Sequence, residues 1–89
     1  MRSTPFLFFL LLAAAAGCGD VQQRPACADY VACVQARDLQ SGTSTNVDRF
    51  DVGGGCWGGD TGADLCETGC VQGLEFLRER QPDLPAECM

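Results

Sequence analysis

Residues 25–34 read Pro-Ala-Cys-Ala-Asp-Tyr-Val-Ala-Cys-Val, and this stretch decides the fold class. Cys27, Tyr30, Val31 and Val34 stand at i, i+3, i+4 and i+7, the spacing that puts side chains on one face of an α-helix. Pro25 suits a first helical position, where its missing N–H forfeits no intrahelical bond. The pattern predicts a helix over about 26–38. Ala28, Ala32 and Ala36 make a second stripe, read here as strong helix formers rather than as a seat for another helix.

A second helix is predicted over about 62–80. Thr61 is placed to cap it, with Asp64 at the third helical position as in a capping box. Asp64 and Glu67 suit its positive N-terminus, and Arg78 and Arg80 its negative C-terminus. Pro82 stops it. Cys66, Cys70, Gly73, Leu74 and Leu77 form one apolar face, flanked by Leu65 and Phe76. Gly69-x-x-x-Gly73 has the spacing that packs membrane helices, but this helix carries too many charges for lipid, so the glycines are read as making room for a neighbour. Asp83 to Met89 forms a short tail that Cys88 fastens down. The expected fold is therefore all-α, small and disulfide-rich: an antiparallel helical hairpin within a cysteine-rich domain of residues 26–89.

Residues 39–62 differ in character, with seven glycines that argue against continuous helix. So long a loop in a small domain is either functional or disordered. Cys56 pins its middle. Phe50 and Trp57 admit two readings, as core filler or as contact residues, because aromatics dominate interface hot spots.

The chain has seven cysteines. Setting Cys18 aside leaves Cys27, Cys33, Cys56, Cys66, Cys70 and Cys88, an even set suited to three disulfides. An antiparallel hairpin favours the nested set Cys33–Cys70, Cys56–Cys66 and Cys27–Cys88. A ladder of Cys27–Cys70, Cys33–Cys66 and Cys56–Cys88 is the next choice. Such staples are needed. Three of the five phenylalanines lie before residue 10, and so small a domain buries too little apolar surface to be secure on its core alone.

The start of the chain explains the seventh cysteine. Met1 to Pro5 carries Arg2, Phe6 to Ala16 is unbroken and apolar, and Ala15-Ala16-Gly17 precedes Cys18. A charged start, short apolar middle and small-residue end make an export signal over residues 1–17. Its apolar run is too short to span a bilayer. The arrangement around Cys18 resembles the lipobox of bacterial lipoproteins, with Ala15 where that family usually carries Leu. The resemblance covers the leader and Cys18 only. It implies that Cys18 becomes the first mature residue, thioether-linked to diacylglycerol and often N-acylated with a palmitate-type chain. It also implies a cell-envelope location. Gly19, rather than aspartate, follows the cysteine, which in diderm lipoproteins favours the outer over the inner membrane. Residues 18–25 then comprise the lipidated cysteine and a polar tether. Ala14-Ala15-Ala16 also fits ordinary secretory cleavage, which would give a soluble cysteine-rich effector or inhibitor but strand an odd thiol.

All twelve acidic residues follow Cys18, and lysine and histidine are absent. An acidic surface disfavours nucleic acid as a partner. The absence of histidine removes the usual general base, and that of lysine removes Schiff-base chemistry. Cys66-x3-Cys70 is not a redox Cys-x-x-Cys pair. Asp48, Asp51, Asp60 and Asp64 flank the glycine-rich loop, and Gly58 to Leu65 loosely resembles a calcium-binding repeat one residue too long; a helix-start role explains Asp60 and Asp64 equally well. No catalytic residue, metal site or cofactor is expected. The expectation is a lipoprotein held by the membrane through Cys18, with a non-catalytic interaction or structural role toward an envelope protein.

Overall fold

The computed structural model describes residues 21–89. Helix α1 spans Pro25–Ser41 and helix α2 spans Asp60–Arg80. Three 3₁₀ turns accompany them: η1 at Asp48–Phe50, η2 at Gly55–Trp57 and η3 at Ala86–Cys88. Among the described residues there is no strand. The protein is all-α, small and stapled by three disulfides.

Proline opens α1, and the face predicted for it is the one it buries: Cys27, Val31 and Val34 are all 5 % exposed or less. Ala28 and Ala32 face solvent, so their stripe seats no second helix. The helix runs three residues past the expected end, because its stop signal is Gly42. That residue takes the left-handed conformation, φ 71° and ψ 23°, which glycine adopts without penalty. The amides of Gly42 and Thr43 both donate to the Asp38 carbonyl, the latter at 3.0 Å.

α2 begins without the expected capping box. Gly59, in extended backbone, is its N-cap and offers no side chain, and the Ala63 amide donates to the Gly59 carbonyl at 3.0 Å. Thr61 therefore lies inside the first turn and is exposed. The reason is local. Cys56–Cys66 and the turn η2 hold the chain against the start of α2, so the helix starts as soon as the glycines allow.

The two helices run side by side in the same direction. Arg24 meets Glu67, Cys27 is bonded to Cys70, Tyr30 packs on Gly73 and Gln40 reaches Asp83. Partner numbers rise together along both chains, whereas in an antiparallel hairpin one would fall as the other rises. The antiparallel arrangement expected from the sequence is thus replaced by a parallel pair. Residues 42–59 make this feasible. They leave the Ser41 end of α1 and climb back to its start, about 25 Å for 17 residues. A short link would have forced the helices antiparallel.

Parallel packing also rearranges the disulfides. Cys27 pairs with Cys70, Cys33 with Cys88 and Cys56 with Cys66. Relative to the nested set, Cys27 and Cys33 exchange partners while Cys56–Cys66 is as expected. The two α1 cysteines point about 120° apart around the helix, so one faces α2 and the other faces the returning tail. The bridges close 43, 55 and 10 residues of sequence respectively, which the chain-entropy model values at about 4, 4 and 2.7 kcal/mol.

Two buried clusters result. Val31, Val34, Val47, Leu74 and Leu77 surround Cys33–Cys88. Trp57 and Ala63 pack against Cys27, Cys70 and Cys56. Half-buried Tyr30 and Phe50 belong to both, their rings edge to face at 5.5 Å. Gly73 lets Tyr30 in: a Cβ there would stand 2.7 Å from Tyr30 Cε1.

Candidate functional site, the glycine-rich crossover

The crossover of residues 42–59 leaves α1 through a node built on Asp38. This carboxylate is 9 % exposed. It accepts hydrogen bonds from Thr43 Oγ1 at 2.8 Å, the Thr45 amide at 2.7 Å and Thr45 Oγ1 at 3.1 Å. Arg37 adds an ion pair at 3.2 Å. The Thr43 hydroxyl holds the Asp38 carboxyl below its ordinary range, against the desolvation of the site and helped by the Thr45 amide and Arg37. Sequence reasoning passed over this node, although Asp-x4-Thr-x-Thr around a helix-ending glycine is a legible capping pattern.

Beyond the node, Val47 enters the core at 4 % exposure and Asn46 Oδ1 accepts from the Asp48 amide at 3.0 Å, which starts η1. Phe50 packs on Tyr30, with the Arg49 guanidinium 4.8 Å from its ring. Gly53 has a left-handed φ of 79°. At Gly54 the carbonyls of Asp48 and Arg49 occupy the place a Cβ would take, so the backbone folds back on η1 only because the residue is glycine.

Trp57 is 4 % exposed, and its Nε1 donates to the Asp51 carbonyl at 2.9 Å. It is a core residue that ties η2 to the preceding turn. Of the two aromatics singled out in the sequence, neither projects freely: Phe50 is half-buried and Trp57 lies inside. The exposed apolar side chain of the crossover is Val52, 77 % accessible, which the sequence reading did not select.

The segment entering α1 docks on this crossover. The Val21 amide donates to the Trp57 carbonyl at 2.9 Å, and Gln23 Nε2 to the Phe50 carbonyl at 2.9 Å. Arg24 Nη1 bridges Asp64 at 3.0 Å and Glu67 at 2.9 Å. Between the docked segment and the crossover runs a groove of about 550 Å³, lined by residues 21–23 on one side and by residues 52–55, Trp57 and Gly58 on the other. None of these lining residues is ionisable.

All six cysteines of the described residues are in disulfides. Among those residues no group of three or more Cys, Asp or Glu side chains is gathered in metal-binding proximity. The four aspartates flanking the loop are engaged locally or dispersed. Asp60 sits in the first turn of α2, Asp64 takes Arg24, Asp51 Oδ1 accepts from the Val52 amide, and Asp48 starts η1. Cys18 lies outside the described residues. None of the described helices is long and apolar enough to cross a membrane. No known protein family, curated protein or solved structure matches the chain.

Proposed function

We propose that this protein is an exported lipoprotein, anchored to the cell envelope through acylated Cys18, whose small helical domain has a non-catalytic interaction or structural role. The observation that supports the reading most is the pairing of the other six cysteines. Because Cys27, Cys33, Cys56, Cys66, Cys70 and Cys88 satisfy one another, Cys18 has no thiol of its own chain left to bond. An unpaired thiol is uncommon in the oxidising compartments where disulfides persist, and lipidation removes it. A diacylglyceryl group with a further acyl chain supplies the two or more chains that stable anchoring requires.

The non-catalytic part of the reading rests on side-chain chemistry. The chain lacks histidine and lysine, and its described cysteines are committed to disulfides. That leaves carboxylates as the main titratable groups, and the groove contains none of them. In a diderm host, Gly19 after the acylated cysteine favours the outer membrane, and an envelope protein is the partner class in reach.

Membrane fractionation tests this reading. Native protein should stay with membranes through a high-salt wash, and Cys18→Ala should be released into the soluble fraction or held as unprocessed precursor. Release of the native protein by salt alone would sink the proposal and favour a soluble secreted protein.

A further inference from the structure

We infer that the charge-free rim of the groove, formed by Val21, Val52 and residues 53–55 and 58, is the face this domain lays against the lipid surface. The inference rests on the lipid-anchor reading above and specifies how that anchor orients the domain. Residues 19–25 read as a seven-residue polar tether, which fully extended would reach about 25 Å and already keeps the domain near the membrane surface. In the structure most of that stretch is already docked. Val21 is hydrogen-bonded to the Trp57 carbonyl, Gln23 to the Phe50 carbonyl, Arg24 is paired with Asp64 and Glu67, and Pro25 begins α1. Only three backbone steps separate Cys18 from docked Val21, a reach of at most about 11 Å.

So short a leash fixes which end of the domain meets the bilayer. The Ser41 end of α1 lies about 25 Å along the helix from the anchored end and must point away. The surface beside Val21 is suited to the contact. The chain carries twelve acidic residues, yet the groove between residues 21–23 and the glycine-rich turn presents none. Anionic headgroups repel carboxylates, and burying an uncharged rim avoids the desolvation cost of a charge. Val52, 77 % exposed, stands on this rim where it can enter the interface. Asp48, Arg49 and Asp51 line an adjoining hollow together with Val52 and residues 53–55, and Asp20 precedes Val21 in the sequence, so the uncharged contact is limited to the rim residues themselves.

Trp57 is the only tryptophan of the chain and lines the groove, so it reports on the contact. Acylated protein is reconstituted into phosphatidylcholine vesicles containing a headgroup-nitroxide lipid, and its emission is compared with that in unlabelled vesicles. A second protein carries a Gly/Ser insert of about 20 residues between Asp20 and Val21, which leaves the domain untouched and frees it over roughly 25 Å. The expected result is that both float with the vesicles, that native Trp57 loses emission to the nitroxide, and that the insert restores it. Equal emission from the two floating proteins overturns the orientation while leaving the lipid anchor standing. Failure of the native protein to float removes the anchor, and the orientation falls with it.

Discussion

Gly54 provides the sharpest test of the crossover's path, because an open neighbour controls for composition. Its φ of −76° and ψ of 173° are ordinary extended values that alanine adopts without strain, so backbone conformation does not forbid the substitution. What forbids it is space: the carbonyl oxygens of Asp48 and Arg49 stand where the new methyl would go. Backbone cannot rotate aside as a side chain does, so η1 and the turn must separate. Overpacking of this kind costs about 1–3 kcal/mol, and Gly→Ala returns about 0.4–1 kcal/mol by restricting the unfolded chain. The net loss for Gly54→Ala is therefore about 0–2.6 kcal/mol, with a midpoint of about 1.3 kcal/mol. In a domain this size each kcal/mol moves Tm by about 4–8 °C, so the midpoint corresponds to a fall of roughly 5–10 °C. Gly55 has no atom within 4 Å of its Cβ position, and Gly55→Ala should melt at or slightly above the native temperature. Thermal melts by circular dichroism, with the disulfides intact, measure both. Equal melting of Gly54→Ala and native protein, or an equal fall in the two variants, would refute the close return of the crossover onto η1.

Three further outcomes follow from the geometry. Cys33→Ala with Cys88→Ala opens the 55-residue closure and should lower stability by about 4 kcal/mol, against about 2.7 kcal/mol for Cys56→Ala with Cys66→Ala; calorimetry giving the reverse order would contradict the entropic ranking. Asp38 has a folded pKa below that of the unfolded chain, so its stabilisation is complete above the unfolded value of about 3.9 and is lost as pH falls through the lower folded value. Urea midpoints measured across that acid window should fall more steeply for native protein than for Asp38→Asn, which should also be the less stable of the two at neutral pH. Gly69→Ala, whose Cβ meets open space, should stabilise α2 by about 0.8–1 kcal/mol, whereas Gly73→Ala should forfeit that gain by pushing Tyr30 off Phe50. Identical chemical-denaturation curves for the two variants would argue against the Tyr30–Gly73 contact.

Local pattern made the helices legible. The i, i+3, i+4, i+7 series beginning at Cys27 is the buried face of α1, and Cys70, Leu74 and Leu77 are buried on α2. The direction of packing was not legible in that way, because an apolar stripe does not say which way its partner runs. The cue was the length of the link: residues 42–59 far exceed the two to eight residues of ordinary helix connections, and a chain that long can return to pack the helices parallel. Once the helices are parallel, Cys27 rather than Cys33 lies level with Cys70, and the change of disulfide partners follows. The Asp38 node was masked by its ordinary composition, a single carboxylate near a helix end whose two threonines lie across the turn at Gly42. In the glycine-rich crossover, the sequence left the aromatics open between core and contact roles, and the structure buries Trp57 and half-buries Phe50. Trp57 is consumed by the core that so small a chain must fill, and the surface it leaves is Val52 with bare glycine backbone.

The proposed lipid anchor on Cys18 predicts the chemistry of the mature N-terminus. Mass spectrometry of the N-terminal peptide, from protein extracted out of native membranes with detergent, should find Cys18 as the first residue, carrying a diacylglyceryl thioether and an acylated amine. An unmodified N-terminal peptide beginning at Gly17, before an unlipidated Cys18, would contradict it.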